Sequence, residues 1–529
     1  MRRSPRQQKE RPKGRHKEAS TVLAFFILNL FLFFSILFFL SILWSMSLSL
    51  YNTLSKKEEV FDSIQGKSIT MYTCGPTVYG RPHIGNYSSF LMADFLRRWL
   101  EVSGYAVKHV KNITDVGHLL HDADHGDDKI QKEAEKEKMH PLEIAKRYTE
   151  HYLEDEKALN MLEPLARPRA SEYVPQMLTI IKTLLEKGNA YETEDGIYFA
   201  VLTFPQYGAL SGNTLANLNA GARIHVDENK KHPADFALWK KCVGDNGRHV
   251  LRWKFSTGEL SHTEGEDVMS GFPGWHIECS AMSSSLLGQQ IDLHTGGEDN
   301  IFPHHECEIA QSEASTGKQF VRFWLHKRRI DLGEAKMSKS LGNVLTVPDI
   351  VAKGYSPLDL RYYLLSVHYR TNLKFAWKGI DDARKARTKI VEWIDEIKKM
   401  SAKEGTDHLK EIAVFIDDFT AALNADLNTP AALAKIFDVM SWSRNQSLSK
   451  SSLSVLQLFT TQIEKTFGCF KPGPEPEPVP ANVQQLVDQR KAARDGKDFK
   501  ESDRLRDAIK DAGFDVKDSA TGQSVRKAF

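Results

Sequence analysis

Cysteine is scarce in this chain, with five residues among 529, at positions 74, 242, 279, 307 and 469. An odd number of widely spaced thiols excludes a disulfide framework and fits a reducing compartment. A strong net charge is also absent, because 71 Lys and Arg oppose 69 Asp and Glu. No global field therefore indicates a nucleic-acid partner. The chain also lacks an evident internal repeat, and its length predicts several domains.

Charge is missing altogether from residues 19–55. Within this stretch, residues 22–44 are apolar and long enough for a transmembrane helix, and no signal-peptide cleavage site is evident. Eight Lys and Arg precede the run, so insertion would keep the N-terminus inside and export the remaining chain with its free thiols. We therefore expect a cytoplasmic protein in which residues 1–45 are dispensable and translation begins at or near Met46. Membrane contact is expected only if residues 22–44 are really expressed.

The first part of the remaining chain predicts a βαβ unit. Residues 67–73 have the pattern of a short strand, residues 88–104 have helical spacing, and residues 105–114 alternate as a second strand. This order predicts a nucleotide-type α/β domain. Residues 172–188 predict another helix, whereas residues 191–266 are turn-rich and irregular. The irregular stretch indicates an insertion between two halves of the α/β domain.

Helical spacing dominates residues 380–470, and "KPGPEPEPVP" (471–480) then places five prolines in ten residues. Such a segment is an extended linker, and a charged helix follows it. The expected domains are an N-terminal extension (1–45), the first half of a Rossmann catalytic domain (46–165), a connective insertion (166–265), the second half (266–335), a lysine-rich loop with a contact region (336–378), a helical bundle (379–470), the linker (471–480) and a small C-terminal domain (481–529).

The segment "FPHHECEIAQS" (302–312) crowds together side chains that commonly bind metals. On a helix, His304 and Glu308 are four residues apart and share a face. A salt-bridged helix face is the simpler interpretation of such a pair. Two thiols favour a metal instead, because Cys74 follows the first strand and Cys279 lies in an apolar, aromatic segment. Zinc accepts mixed Cys, His and carboxylate ligands, although only the fold could bring these residues together.

Two further motifs suit the binding of phosphate. "HIGN" (83–86) lies between the first strand and a helix, where backbone N–H groups favour an anion and Gly85 permits close approach. "KMSKS" (336–340) is a cationic segment with small hydroxyl residues between its lysines. Taken separately, the first could be an ordinary turn and the second a surface charge run. Their order around an α/β core makes phosphate binding the sharper hypothesis.

The chain resembles the cysteinyl-tRNA synthetase family, within class I of the aminoacyl-tRNA synthetases, from about residue 48 to its end. The resemblance rests on "YTCGPTVYGRPHIGN", "FPGWHIECSAM", "DLHTGGEDNIFPHHECEIAQS", "KMSKSLGN", "LRYYLLSVHYR" and the C-terminal tail. It implies a Rossmann-type parallel-sheet catalytic domain with an insertion, an α-helical bundle and a small C-terminal anticodon-binding domain. It also implies ATP-dependent attachment of L-cysteine to its tRNA through a cysteinyl-adenylate intermediate.

The resemblance assigns roles to individual residues. It implies zinc ligands at Cys74, Cys279, His304 and Glu308; catalytic roles for His83, Asn86, Lys336 and Lys339; nucleotide contacts from Gly85, Asp299 and Lys339; and substrate contacts from Trp275, Thr114 and His294. One zinc per chain would bind the substrate thiolate and so select cysteine. The implied partners are cysteine tRNA, ATP with magnesium and L-cysteine, and the expected state is a monomer.

Three positions depart from the family pattern. Asn86 stands where the class signature usually has His, and an amide can still donate a hydrogen bond to phosphate but carries no charge. Cys307 stands where Asn is expected, so it is a competing zinc ligand in the sequence. Val525 replaces an expected aromatic residue, which leaves base stacking at the anticodon open.

Two alternatives remain at the level of sequence. A ligase that passes cysteine to an amino-sugar would share the catalytic core but lack the full C-terminal region, which this chain has. A non-catalytic module that binds zinc and tRNA would not need His83, Lys336 and Lys339. Cysteine-dependent pyrophosphate exchange separates an enzyme from such a module.

Overall fold

The structure is a computed structural model that describes residues 47–116, 128–213, 229–261, 269–332, 335–336, 344–401, 405–471, 480–496, 498–519 and 522–527. The apolar run at residues 22–44 lies outside these ranges, as does Lys339. Within them, no helix combines the length and the apolar character that a membrane crossing requires.

The strands of the described ranges form five sheets. They are β1 (Ser49–Asn52), β2 (Lys57–Val60), β3 (Ser68–Thr73), β4 (Ala106–Lys111), β5 (Ala190–Glu192), β6 (Gly196–Phe199), β7 (Phe236–Lys241), β8 (Arg252–Trp253), β9 (Leu260–Ser261), β10 (Gly271–Pro273), β11 (Ile291–Gly297), β12 (Val321–Lys327), β13 (Ile330–Leu332), β14 (Ala335–Lys336), β15 (Leu373–Phe375), β16 (Phe514–Ser519) and β17 (Gly522–Lys527).

The helices of the same ranges lie around these sheets and in the C-terminal half. They are α1 (Ile84–Val102), α2 (Lys129–Glu137), α3 (Pro141–Ala158), α4 (Val174–Glu186), α5 (Trp275–Leu287), α6 (Glu306–Thr316), α7 (Val347–Ala352), α8 (Pro357–Leu365), α9 (Trp377–Lys399), α10 (Leu409–Asn424), α11 (Thr429–Ser443), α12 (Lys450–Phe467), α13 (Ala481–Asp495) and α14 (Phe499–Asp511).

The central sheet has four strands in the order β12-β11-β3-β4, and every neighbouring pair is parallel. From β3 the chain passes through α1 to β4 on one side, and from β11 it passes through α6 to β12 on the other. The order therefore reverses between β3 and β11, which is where ligands bind in open parallel sheets. The predicted Rossmann-type fold is confirmed.

Helix α1 begins directly after His83 and carries the core-facing residues of the first βαβ unit. Leu91, Phe95 and Trp99 recur every four residues and are buried, as an amphipathic helix requires. Sequence spacing predicted residues 88–104 for this helix, so the structure adds one turn at its start. That turn contains the "HIGN" motif, which the sequence had indicated only as a turn before the helix.

The insertion is a six-stranded antiparallel sheet in the order β5-β6-β7-β10-β8-β9. The interpretation of residues 191–266 as irregular was wrong. Its strands are two to six residues long, and all six side chains of β7 are buried. Short strands buried on both faces lack the polar–apolar alternation by which a strand is recognised in a sequence.

A buried charge cluster joins α1 to the helical region. The Asp94 carboxylate accepts hydrogen bonds from Arg361 Nη2 at 2.6 Å, Arg98 Nε at 2.8 Å and Leu162 N at 2.7 Å. Arg361 also donates to the carbonyl of Phe467, the last residue of α12, at 2.7 Å. Burial opposes ionisation of Asp94, but Arg361 and Arg98 hold its pKa well below the usual range. One carboxylate thus connects α1, α8 and the end of α12.

The C-terminal region forms its own small core. Val483 and Val487 of α13 pack with Ile509 of α14, and the hairpin of β16 and β17 covers them. Val525, the residue that replaces an expected aromatic, pairs with Val516 in this hairpin and packs against the core.

Candidate active site and metal centre

The candidate site lies at the carboxyl ends of β3 and β11. Cys74 follows β3 directly, and Gly75 beside it could not be replaced, since an added Cβ would lie 1.7 Å from the Asn112 carbonyl oxygen. Helix α5 begins at Trp275 and carries Cys279 in its second turn. The structure therefore brings segments from both halves of the catalytic domain to the point where the strand order reverses.

The four predicted metal ligands lie together and are buried. Cys74 Sγ is 3.7 Å from Cys279 Sγ and 3.7 Å from Glu308 Oε1. His304 Nε2 is 3.0 Å from the same Glu308 oxygen. Two thiols, an imidazole and a carboxylate thus converge, although they come from segments far apart in sequence.

The structure adds His305 to this group. Its Nε2 is 3.3 Å from Cys74 Sγ and 3.9 Å from Glu308 Oε1. The potential ligand atoms of Cys74, His304, His305 and Glu308 all lie within 4.8 Å of one another. His305 and Glu308 are three residues apart, a spacing that shares a helix face as the four-residue spacing of His304 and Glu308 does. The backbone is kinked at Phe302, which is extended, α6 starts at Glu306, and both imidazoles reach the cluster.

The pKa shifts in the cluster favour a negative charge on Glu308 and a positive charge on His304. Burial opposes ionisation of Glu308, but the imidazoles of His294 and His304 lower its pKa to about 2. Burial also disfavours the imidazolium of His304, yet the Glu308 carboxylate raises its pKa to about 10. Burial raises the pKa of Cys74 well above its usual value, whereas Cys279, despite its burial, has a pKa lowered to about 6 by hydrogen bonds with Cys74 and His304. The pKa values of the two thiols are therefore shifted in opposite directions, so Cys279 ionises more readily than Cys74.

Additional imidazoles orient the possible ligands. His276 Nδ1 lies 3.1 Å from His304 Nδ1, and His305 Nδ1 lies 2.7 Å from His326 Nε2. His326 in turn bonds the Thr53 hydroxyl at 2.8 Å. Hydrogen bonds to the far nitrogen of a histidine fix its ring in metal sites. Sequence reasoning missed His276 and His326, and the signal available was a histidine one or two residues after Trp in "GWHIEC" and "WLHK".

The three residues expected to contact substrate border the same cluster. The Trp275 ring stacks on His304 with centroids 4.3 Å apart, and His294 Nε2 is 3.1 Å from Glu308 Oε2. Thr114 donates to Glu278 Oε2 at 2.8 Å, directly beside Cys279 in sequence. Glu278 was missed by sequence reasoning, and burial raises its pKa well above the usual value. The roles of these residues stay predictions.

The "HIGN" residues cap α1. Asn86 N donates to His83 Nδ1 at 3.3 Å, and His83 N donates to Asn86 Oδ1 at 3.0 Å. A Cβ on Gly85 would lie 2.8 Å from the His83 ring, so this position must remain glycine for the cap to keep its shape. Asn86, where the class signature usually has His, therefore has a capping role in this chain.

The remaining predicted nucleotide contacts are only partly described. Asp299 is exposed in the short turn Glu298–Asn300 that follows β11. The backbone of Lys336 pairs with Asp331 between β14 and β13. Lys339 lies outside the described residues, so its role stays a prediction. Cys307 is buried beside the Tyr207 hydroxyl, 3.5 Å away.

Solved structures share this fold. A LeuRS–tRNA–LeuAMS ternary complex from Agrobacterium radiobacter aligns with a TM-score of 0.56 at 13% identity, covering 78% of this chain and 85% of that one. Methionyl-tRNA synthetase of Mycobacterium tuberculosis, bound by methionyl-adenylate, aligns with a TM-score of 0.50 at 14% identity, covering 76% and 89%. The chain therefore has the fold of these tRNA synthetases.

Sequence comparisons are more specific. Residues 60–385 match the family model for the class I (C) tRNA synthetase catalytic domain, 418–471 the DALR domain, and 477–526 the cysteinyl-tRNA ligase anticodon-binding domain. Cysteine–tRNA ligases of Chlorobium chlorochromatii and Thermus thermophilus are 38% and 40% identical, each over 90% of this chain and 98% of the relative. The chain belongs to the cysteine–tRNA ligase family, as the resemblance predicted.

Proposed function

We propose that this enzyme activates L-cysteine with ATP to form cysteinyl-adenylate and pyrophosphate, and then transfers the cysteinyl group to the terminal adenosine of its tRNA. The observation that carries the proposal is the buried group of thiols, imidazole and carboxylate at the point of strand reversal, in a member of this family. A site with soft sulfur donors suits a metal that binds thiolates, and therefore a substrate that itself bears a thiol.

The proposed metal ligands are Cys74, Cys279, His304 and Glu308, holding one zinc ion per chain. The donor set fits, because zinc takes sulfur, nitrogen and carboxylate ligands together. The contact of His304 with His276 through the far ring nitrogen is also typical of a ligand. Zinc would supply a preference for soft sulfur over hydroxyl oxygen, whereas an apolar pocket rejects such an isostere only by about 10².

His305 is the competing fourth ligand, and we favour Cys279 over it. The His305 ring packs against His294 and Trp324, with centroids 4.5 and 5.0 Å apart, and its Nδ1 is bonded to His326. The ring contacts suit a wall of the site, whereas the bond to His326 is the same kind of contact that His304 makes with His276 and does not decide between the two roles. Cys279 adds a second soft donor, and its thiol is hydrogen-bonded to both His304 and Cys74.

Substrate binding would use the rings and hydroxyl that border the cluster. Trp275, already stacked on His304, would pack against the amino acid, and Thr114 and His294 would donate or accept hydrogen bonds beside it. The N-terminus of α1 would bind the ATP phosphates, with His83 and Asn86 as side-chain contacts and magnesium accompanying the nucleotide.

Three further contacts complete the proposed nucleotide site. Gly85 would let the nucleotide approach the backbone, because its missing Cβ leaves the surface open beside His83. Asp299 is exposed at the end of β11, where it would contact the nucleotide. Lys336 and Lys339 would act on the phosphates, and Lys339 would stabilise the charge that develops in the transition state.

The C-terminal part would serve tRNA. Residues 477–526 match an anticodon-binding domain and fold around their own small core. This region distinguishes the proposal from a ligase that acts on an amino-sugar, which would not need it. We also propose that the enzyme works as a monomer in the cytoplasm.

Two measurements on one purified sample test the proposal. We expect cysteine-dependent exchange of pyrophosphate into ATP, and one zinc per chain by atomic emission. Bound zinc without exchange would instead indicate a non-catalytic zinc and tRNA-binding module. Exchange without charging of cysteine tRNA, together with transfer to an amino-sugar, would indicate the alternative ligase.

A further inference from the structure

A small cavity lies between the catalytic sheet and the helical region, one turn of α1 beyond the "HIGN" motif. Its volume is about 20 Å³. Apolar side chains form most of its wall, among them Met92 and Phe95 of α1 and Leu364 of α8. Lys327, the last residue of β12, and Ser88 of α1 also line it. The wall is therefore mainly apolar, with one ammonium group and the hydroxyl-bearing side chains of Ser88, Tyr369 and Thr429.

Among these polar groups, the Lys327 ammonium and the Ser88 hydroxyl are buried and unpartnered. Lys327 is 3% exposed and Ser88 is 2% exposed. Neither Lys327 Nζ nor Ser88 Oγ has a hydrogen-bond partner in the structure. A buried donor without an acceptor is unfavourable, and a buried charge without a partner is more so. The cavity therefore needs an occupant that accepts hydrogen bonds.

Neighbouring carboxylates do not fill this role. Glu298 is the acidic group whose charge acts on Lys327, but its carboxylate accepts from Arg328 Nη1 at 2.8 Å and from Arg329 N at 3.1 Å. The Asp426 carboxylate accepts a hydrogen bond from the Tyr369 hydroxyl and pairs with Arg370 Nε at 2.6 Å. Burial lowers the pKa of Lys327 to about 8, so its ammonium is still largely charged at neutral pH.

The size of the cavity restricts the ligand. A water molecule needs roughly 10–15 Å³ of such space, so about 20 Å³ admits one monatomic ion or one water. Phosphate, sulfate and carboxylates are too large. A charged ammonium favours an anion over neutral water, and apolar walls favour a weakly hydrated monovalent anion.

We propose that this cavity binds one halide ion, with chloride as the natural ligand, held by the Lys327 ammonium and the Ser88 hydroxyl. The ion would join the end of β12 to the second turn of α1. Nothing in the proposed aminoacylation chemistry uses Lys327 or Ser88, so the site is separate from the candidate active site.

Crystals of the full chain grown in bromide instead of chloride give the direct test. We expect an anomalous bromide peak within hydrogen-bond distance of Lys327 Nζ and Ser88 Oγ, and no such peak in Lys327→Met. An ordered water at this position in the presence of bromide would overturn the proposal. The same peak in Lys327→Met would overturn it as well.

Thermal unfolding shows whether the ion binds in solution. At constant ionic strength, replacing potassium glutamate with potassium chloride should raise the melting temperature of the wild type, because glutamate does not fit the cavity. The rise should disappear in Lys327→Met and shrink in Ser88→Ala, which keeps the charge and so remains informative if Lys327→Met fails to fold. Lys318→Met, which removes an exposed lysine near the start of β12, is the matched control and should keep the full rise. Equal rises in all four proteins would show a general salt effect and refute the site.

Discussion

The Asp94 cluster gives a quantitative prediction for the change Asp94→Asn. The substitution keeps the shape of the side chain but removes the negative charge between Arg361 and Arg98, which are 2.6 and 2.8 Å away. Both guanidinium groups are buried, and both retain backbone carbonyl acceptors, for example Phe467 and Asn160. Two buried positive charges would then face each other without a counter-charge. Breaking a buried ion pair in this way costs about 3–5 kcal/mol.

Helix α1 supplies a matched control. Glu101 pairs with Arg97 at 2.7 Å, with the same spacing of four residues as Asp94 and Arg98, but on the surface. Exposed pairs of this kind contribute about 0.3–0.5 kcal/mol. Urea unfolding followed by circular dichroism should therefore show a large loss of stability for Asp94→Asn and a small one for Glu101→Gln. Comparable losses for the two variants would refute the reasoning.

The pH dependence of the stability difference between wild type and Asp94→Asn tests whether Asp94 is ionised in the folded protein. The pKa of Asp94 is below its usual value in the folded state. Its contribution is therefore fully present above the unfolded-state pKa of about 3.9 and is lost as the pH falls through the folded-state pKa. The stability difference between wild type and Asp94→Asn should be constant between about pH 5 and 8 and should shrink below about pH 4. A difference that grew on acidification would contradict the assigned charge state.

Three further predictions concern function. Cys279→Ser should lose zinc and should require far more cysteine for pyrophosphate exchange. Cys242→Ser, which changes a thiol outside the cluster, should keep its zinc and the wild-type cysteine requirement. Stoichiometric zinc in purified Cys279→Ser would show that Cys279 is not a ligand. Lys339→Ala should reduce the rate of adenylate formation by about 10²–10³ with little change in ATP binding, and equal effects on both quantities would exclude a transition-state role. Ending the chain at about Pro480 should spare pyrophosphate exchange and impair aminoacylation of tRNA, so an exchange defect of equal size would argue against a tRNA-specific C-terminal domain.

Strands and helices whose apolar residues recur at a regular spacing were predictable from the sequence. The strand at 67–73 and the helix at 172–188 match β3 and α4 to within two residues at each end, because one face of each is apolar and turn residues flank them. The inserted sheet was not predictable in this way. Its strands pair across loops of different lengths, and β7 is buried on both faces, so sequence periodicity carries no information about it.

Parts of the candidate site were likewise predictable from the sequence, and other parts were not. Residue type made Cys74, Cys279, His304 and Glu308 candidates, the family resemblance implied them as one ligand set, and the structure brings these side chains together. The approach of His305 to Glu308 was missed because only the four-residue spacing of His304 and Glu308 was considered, although residues three apart also share a helix face. The unpartnered Lys327 could not be found from sequence either, since the absence of an acceptor is a property of the packed surroundings.

The long separation of the thiols determines when the metal site can form. Cys74 and Cys279 are 205 residues apart, and the inserted sheet lies between them in the chain. A newly made chain has no preformed pocket, because contacts so distant in sequence close late in folding. Binding of the proposed metal would therefore follow the pairing of β3 with β11 and would stabilise that pairing. On this proposal, the supply of zinc and the redox state of the surroundings would already affect the chain while it folds.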